Sequence, residues 1–170
     1  MDKDIYEKTK ELIEENKFLS LATVDNDGNL WSTPLSYSYD EDYNFYFTSE
    51  LDSQHIINII DNPNVSFTIF DSTKRVSEVD GLQIRGIVGE VDKKDLEAVV
   101  KNYYNFVFKD PEERKKWEAP YTYFLEDNKP IYRFFQIMPT EIYKRDTEYL
   151  DGDRRIKIDI DTLRKNWNNN

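Results

Sequence analysis

The 170-residue sequence predicts an α+β, mainly β fold: an antiparallel barrel or sandwich with helices packed at its ends. Three observations predict it. Short apolar runs of period two are separated by hairpin-length turns rich in Asp, Asn and Gly. The element order is helix, three strands, helix, two strands, helices, strand, which does not suit a doubly wound parallel sheet. Finally, 12 Tyr, 10 Phe and 3 Trp supply buried surface that a hydrophobic fraction of 38% would otherwise leave short.

Each element follows from its local pattern. Residues 3–16 place Ile5, Thr9, Leu12 and Ile13 on one stripe among Lys and Glu, an amphipathic helix. Phe18–Val24 is an apolar run, Asp25-Asn26-Asp27-Gly28-Asn29 a hairpin turn, and Leu30–Tyr39 the returning strand. A tight turn at Asp40-Glu41-Asp42 leads to a third strand, Tyr43–Thr48, so the three strands read as a meander. Ser53 can cap a helix whose apolar face is Ile56, Ile57, Ile59 and Ile60, and Asn62-Pro63 ends it.

Val65–Phe70 is a strand, 71–80 a polar surface loop, and Gly81–Val91 a strand in which Leu82, Ile84 and Val88 oppose Gln83, Arg85 and Ile87. Gly86 and Gly89 within it suggest a bulge or a close approach. Lys93–Phe108 carries Leu96, Val99, Val100, Tyr103, Tyr104 and Val107 at helical spacing, an aromatic stripe suited to a core or a subunit interface. Pro111 starts a short helix through Trp117. Ile131–Lys144 is a strand with Pro139 marking a bulge or edge, Arg154–Ile160 a last strand, and Asn168–Asn170 a frayed end. No repeat or linker divides the chain, so residues 1–170 read as a single domain with its core at about 18–145.

Composition excludes several function classes. The net charge, 23 − 34 = −11, opposes phosphate backbones, and no basic stripe offsets it, so nucleic acid is not an expected partner. Arg114, Lys115 and Lys116 follow Glu112 and Glu113 and form a solvated helix face. The charged N-terminus lacks a secretory apolar core and no run approaches the ~18 apolar residues of a membrane helix, which points to a cytoplasmic protein without a membrane partner. Without secretion, Asn64-Val65-Ser66 is not expected to be glycosylated. The absence of cysteine removes disulfides, thiolate nucleophiles and sulfur-ligated metals, and a lone His55 cannot supply two histidine ligands. The Asp25–Asn29 turn lacks the glycine and glutamate positions of a calcium loop. Any difficult chemistry therefore belongs to a bound cofactor.

Thr48, Ser49, Ser53, Gln54 and His55 gather hydroxyls, an amide and an imidazole at a helix start, a cradle suited to an anion; capping and turn roles for the same residues are the alternative. Trp31-Ser32-Thr33-Pro34-Leu35-Ser36-Tyr37, Phe45-Tyr46-Phe47-Thr48-Ser49, Asp52-Ser53-Gln54-His55 and Asn62-Pro63-Asn64-Val65, with the later Gly81-Leu82-Gln83-Ile84-Arg85-Gly86, stand in an order and spacing that resemble the pyridoxamine 5′-phosphate oxidase-like family of FMN-binding split β-barrels. The resemblance implies an antiparallel split β-barrel with flanking helices and a homodimer with FMN between two barrels. It implies a flavin ring against Ser32, Thr33, Pro34 and Leu35, a phosphate at Thr48, Ser49, Ser53, Gln54 and His55, and a flavin contact from Gln83. The activity implied is hydride transfer through flavin N5 to or from a small-molecule substrate, with NADH or NADPH as candidate donor.

The sequence departs from the true oxidase, which places Arg or Lys where Ser32, Tyr37 and Gln54 stand here and Lys where His55 stands. Arg85, Lys74 or Arg75 are candidate replacements. The ending Leu163-Arg164-Lys165-Asn166-Trp167 also lacks the oxidase's Arg-Leu-Ala-Pro-like terminus, which disfavours oxidation of pyridoxamine phosphate itself. The competing reading on the same fold is a non-catalytic flavin or haem carrier. A Ser-His-Asp hydrolase built on Ser53 and His55 is disfavoured, because residues two apart at a helix start face different directions.

Overall fold

A computed structural model describes residues 3–127, 130–147, 149 and 154–167. The elements are α1 (Lys3–Glu15), β1 (Phe18–Val24), β2 (Leu30–Ser36), β3 (Ser38–Tyr39), β4 (Phe45–Glu50), α2 (Gln54–Asp61), β5 (Asn64–Phe70), β6 (Gly81–Glu90), α3 (Leu96–Val107), α4 (Pro111–Trp117), β7 (Tyr132–Arg145), β8 (Arg155–Ile158) and α5 (Ile160–Trp167). All eight strands belong to one antiparallel sheet of order β2-β1-β5-β6-β7-β4-β3, with β8 also paired to β7. Strands β2 and β3 stand at opposite ends of that path, yet only Tyr37 separates them in sequence. The sheet therefore curls until its ends meet, giving the expected half-barrel with flanking helices.

This junction corrects the expectation of one strand over Leu30–Tyr39 and a simple meander. The first part pairs with β1, with Leu30 opposite Val24, while Ser38 and Tyr39 pair with β4. The switch falls at Tyr37, which is fully buried and donates its hydroxyl to the Ile13 carbonyl of α1. A residue that packs so well at the seam does not announce a strand break by composition. Both expected turns form around an aspartate: Asp25 Oδ1 accepts the N–H groups of Asp27 and Asn29, and Asp40 Oδ1 those of Asp42 and Asn44. Gly28 takes positive φ (84°) in the first.

The inner face packs Leu19, Leu21, Phe45, Phe47, Phe67, Ile69, Ile84 and Ile137 with Tyr6 and Ile13 of α1 and Ile56 of α2. A second cluster forms where Val99, Tyr103 and Tyr104 of α3 meet Tyr46, Phe134 and Phe124, the last in a 3₁₀ turn over Tyr121–Leu125. The aromatic stripe of α3 is thus core. Of the four isoleucines of α2 only Ile56 and Ile59 are buried; Ile57 and Ile60 are exposed, so its apolar face is narrower than its composition suggests. The strand expected over Arg154–Ile160 stops at Ile158, and a helix unforeseen in sequence, α5, follows from Asp159, whose carboxylate accepts the Thr162 N–H. The tail expected at Asn168–Asn170 lies outside the described residues.

The bulge expected in β6 occurs between Arg85 and Gly86, where the partner jumps from Glu141 to Pro139. A Cβ on Gly86 would stand 2.7 Å from Ile137 Cγ2 and 2.9 Å from the Met138 carbonyl oxygen, so only glycine fits. Gly89 meets no such crowding. No described helix is long and apolar enough to cross a membrane.

Candidate functional site

Strand alternation divides the sheet into two chemistries. Leu19, Leu21 and Thr23 of β1 point inward; Ser20 and Ala22 point outward, and the same alternation exposes Ser66 and Thr68 of β5 and Gln83 and Arg85 of β6. On the edge strand β2, Ser32 and Pro34 sit opposite Ala22 and Ser20, so their side chains share the outer face. Thr33 and Leu35, opposite Leu21 and Leu19, share the inner one. Pro34 therefore stands where a missing donor costs little, because β2 ends the sheet on its far side.

The second aromatic cluster covers one half of the outer face. The other half is open and forms a groove of about 640 Å³ floored by Ser20, Ala22, Ser66 and Thr68, with Ser32 on one side and Gln83, Arg85, Tyr143 and Arg155 on the other. Ser20 Oγ and Ser32 Oγ are 3.1 Å apart. Arg155 Nε donates to Gln83 Oε1 at 2.9 Å, and Arg85 Nη1 to Glu141 Oε2 at 3.0 Å. Lys157 Nζ donates to Glu141 Oε1 at 2.7 Å, an interaction that lowers the Glu141 pKa and raises that of Lys157. Among the described residues, Arg85, Arg155 and Lys157 stand on this face with Glu141, in a chain of net charge −11.

The start of α2 is a second polar cluster. Ser49 Oγ lies 2.8 Å from His55 Nε2 and 3.1 Å from Ser53 Oγ, which donates to the Glu50 carbonyl at 2.7 Å. Ser53 occupies the N-cap position but its hydroxyl makes no capping bond, a correction to its expected local role. His55 is only 6% exposed, and burial lowers its pKa, so the imidazole is neutral at pH 7. Thr48 donates to the Arg133 carbonyl, and Gln54 donates to Asn58 Oδ1. In this chain the cradle's side chains thus bond to one another and to neighbouring protein groups, while the first N–H groups of α2 lack intrahelical acceptors, as at any helix start.

The ten expected site residues accordingly fall into separate sets. Ser32 and Gln83 line the outer groove, with Pro34 on the same face; Ser49, Ser53 and His55 form one hydrogen-bonded cluster with Thr48 and Gln54 beside it; Thr33 and Leu35 face inward. Thr33 Oγ1 accepts from the Trp31 indole at 2.8 Å. Sequence reasoning missed Ser20, Tyr143 and Arg155 as groove residues. Alternation in β7 and β8 carried part of the signal, but the position of β8 beside β7, which brings Arg155 to Gln83, is a long-range pairing. Among the described residues no cluster of His, Asp and Glu suits a metal ion.

The groove fits a flavin nucleotide in its chemistry: hydroxyl and amide groups suit the polar edge of a ring system, and the guanidinium groups suit a phosphate. The family described as pyridoxamine 5′-phosphate oxidase matches residues 5–146. No curated protein matches. Among solved structures, a haem-binding protein from Mycobacterium smegmatis is similar with TM-score 0.73 at 12% identity, over 97% of this chain and 62% of that one. The haem storage protein HutZ from Vibrio cholerae is similar with TM-score 0.60 at 18% identity, over 80% and 91% of the two chains. An F420 reductase is similar with TM-score 0.57 at 21% identity, over 78% and 94%.

Proposed function

The chain belongs to the pyridoxamine 5′-phosphate oxidase family, and from that premise we propose that it is an FMN-dependent oxidoreductase for a small-molecule substrate, with the flavin in the outer groove. When bound, FMN supplies hydride transfer at N5. The protein's part is to hold and orient the ring: Ser20, Ser32 and Gln83 offer polar contacts, Arg155 fixes the Gln83 amide, and Arg85 and Arg155 offset the phosphate charge. The observation that carries this reading is the open groove lined by the hydroxyls of Ser20, Ser32, Ser66 and Thr68, the Gln83 amide and the guanidinium groups of Arg85 and Arg155.

A homodimer is part of the proposal. Ser32 and Gln83 on one side and the α2 start on the other are two sets that one chain does not gather into a single pocket. A pair of chains in which the groove of one copy faces the α2 start of the other offers both sets to one flavin, the helix N–H groups serving its phosphate. NADH or NADPH is the proposed reductant, and the cytoplasm the proposed compartment.

The alternative, a non-catalytic flavin or haem carrier, draws on the absence of Arg or Lys at Gln54 and His55. The haem form has less support: the sole histidine is buried on Ser49 and the chain has no cysteine, so an axial ligand would have to come from another residue type. Adding FMN to the purified protein, removing the excess on a desalting column and recording absorbance tests the proposal. A retained flavin band that bleaches anaerobically with NADH or NADPH is the expected result. A band stable to both supports the carrier, and no band defeats both flavin readings.

A further inference from the structure

The Gln83 amide sits in the groove with a fixed polarity. Arg155 Nε lies 2.9 Å from its Oε1, and because a guanidinium carries donors only, the end of the amide it holds is the oxygen. The other end, Nε2, has no protein partner among the described residues. The cross-strand neighbours of Gln83 are Thr68 and Tyr143, and the Tyr143 hydroxyl donates elsewhere, to Glu141 at 3.4 Å. Arg85, two residues along the same face of β6, is committed to Glu141 and does not compete for the amide oxygen. An unanchored glutamine can turn either end to a ligand, and the two orientations act oppositely on the same ligand atom, since the oxygen accepts where the nitrogen donates. Arg155 removes that choice and leaves Nε2 as the end available to a ligand in the groove.

We infer that Arg155 is a positioning residue for the cofactor: by holding the Gln83 oxygen it makes Gln83 a hydrogen-bond donor toward a bound flavin, and this donor favours the reduced flavin over the oxidised one. The inference rests on the flavin reading and adds to it a setting of the cofactor's reduction potential. Two-electron reduction loads negative charge onto the acceptor atoms of the ring, and a hydrogen bond to a charged acceptor is roughly twice as strong as one to a neutral acceptor. A donor held in place therefore binds the reduced form more tightly, which raises the potential. An amide free to present its oxygen to the same acceptors loses that preference. A guanidinium acting by charge alone would favour reduced flavin whether or not Gln83 is there, so dependence on Gln83 is the signature of positioning.

The test measures, anaerobically and by ultrafiltration, the affinity of the full-length protein for oxidised FMN and for dithionite-reduced FMN, and reads the ratio of reduced to oxidised affinity. Gln83→Leu and Arg155→Ala are each expected to lower that ratio about tenfold, which for a two-electron couple is about 30 mV. The double variant is expected to lower it no further than either single change, and Arg155→Lys, which keeps a donor, to retain part of it. Arg85→Ala removes a guanidinium from the same groove without touching Gln83 and is expected to change the ratio by the same factor with Gln83 or Leu at position 83. A ratio unaltered by Gln83→Leu, a substitution at an exposed position that tests the donor even where Arg155→Ala is less stable, overturns the inference and leaves the flavin reading standing. So does an Arg155→Ala effect that persists undiminished in the Gln83→Leu protein. A parent protein that takes FMN in neither state overturns the flavin reading and the inference together.

Discussion

Arg155 reaches across Tyr143 of β7 to donate Nε to the Gln83 side chain on β6, linking residues 72 apart in sequence at 2.9 Å. The bond matters because both partners line the groove, so each holds the other's orientation toward a ligand. It also ties the late strand β8 to the open face.

Removing either partner is expected to weaken flavin binding. A charge-assisted hydrogen bond is worth about 1.5–3 kcal/mol, so Arg155→Ala is expected to lower FMN affinity roughly 10–150-fold. Gln83→Ala is expected to cost less, and the double variant less than the sum of the two. A titration of flavin fluorescence with the four proteins measures this coupling.

Buried His55 makes stability depend on pH in a definite direction. Its folded-state pKa lies below the ordinary 6.5, so the unfolded chain binds the proton more readily. The contribution is complete above the unfolded value and is lost as pH falls from about 6.5 toward the folded one. Urea midpoints measured between pH 5 and 8 are expected to fall on the acid side, and His55→Gln is expected to flatten that part of the profile.

Gly86→Ala places a methyl group against Ile137 and the Met138 carbonyl at the bulge. Overpacking of this kind costs about 1–3 kcal/mol, and at this chain length about 2–4 °C of melting temperature per kcal/mol. Gly89→Ala, where nothing lies within 4 Å, is the control that loses far less by thermal melting.

Lys144 is 2% exposed and paired with Asp80, whose side chain is 22% exposed. Lys144→Met leaves that carboxylate without its cation, and breaking a buried pair costs about 3–5 kcal/mol, with the lower end expected here because Asp80 retains some solvent. Adding Asp80→Asn to the same chain is expected to recover part of the loss in a denaturant titration.

Much of this architecture was legible from local pattern. β1, the α3 stripe, the Pro111 helix start and the alternation of β6 all follow from periods of 2 or 3.6 and from caps. The break at Tyr37 was not, because strand pairing decides it: Leu30–Ser36 and Ser38–Tyr39 have equally good strand composition and go to opposite ends of the sheet. For the site, sequence named Ser32 and Gln83 on the groove but not Arg155, which becomes their neighbour only through the β7–β8 ladder. Ser49, Ser53 and His55 were named as anion ligands from their position at a helix start; their bonds to each other depend on side-chain directions that sequence does not display.

Flavin placement in the open-face groove is tested most directly by comparing FMN affinity across three variants at exposed or rim positions. Ser32→Trp, which fills the groove, and Arg155→Ala, which removes one of its two guanidinium groups, are both expected to lose at least tenfold in affinity, with Ser32→Trp melting like the parent; Val76→Asp, outside the groove, is expected to bind FMN as the parent does. Equal FMN affinity in all three proteins and the parent would contradict the account.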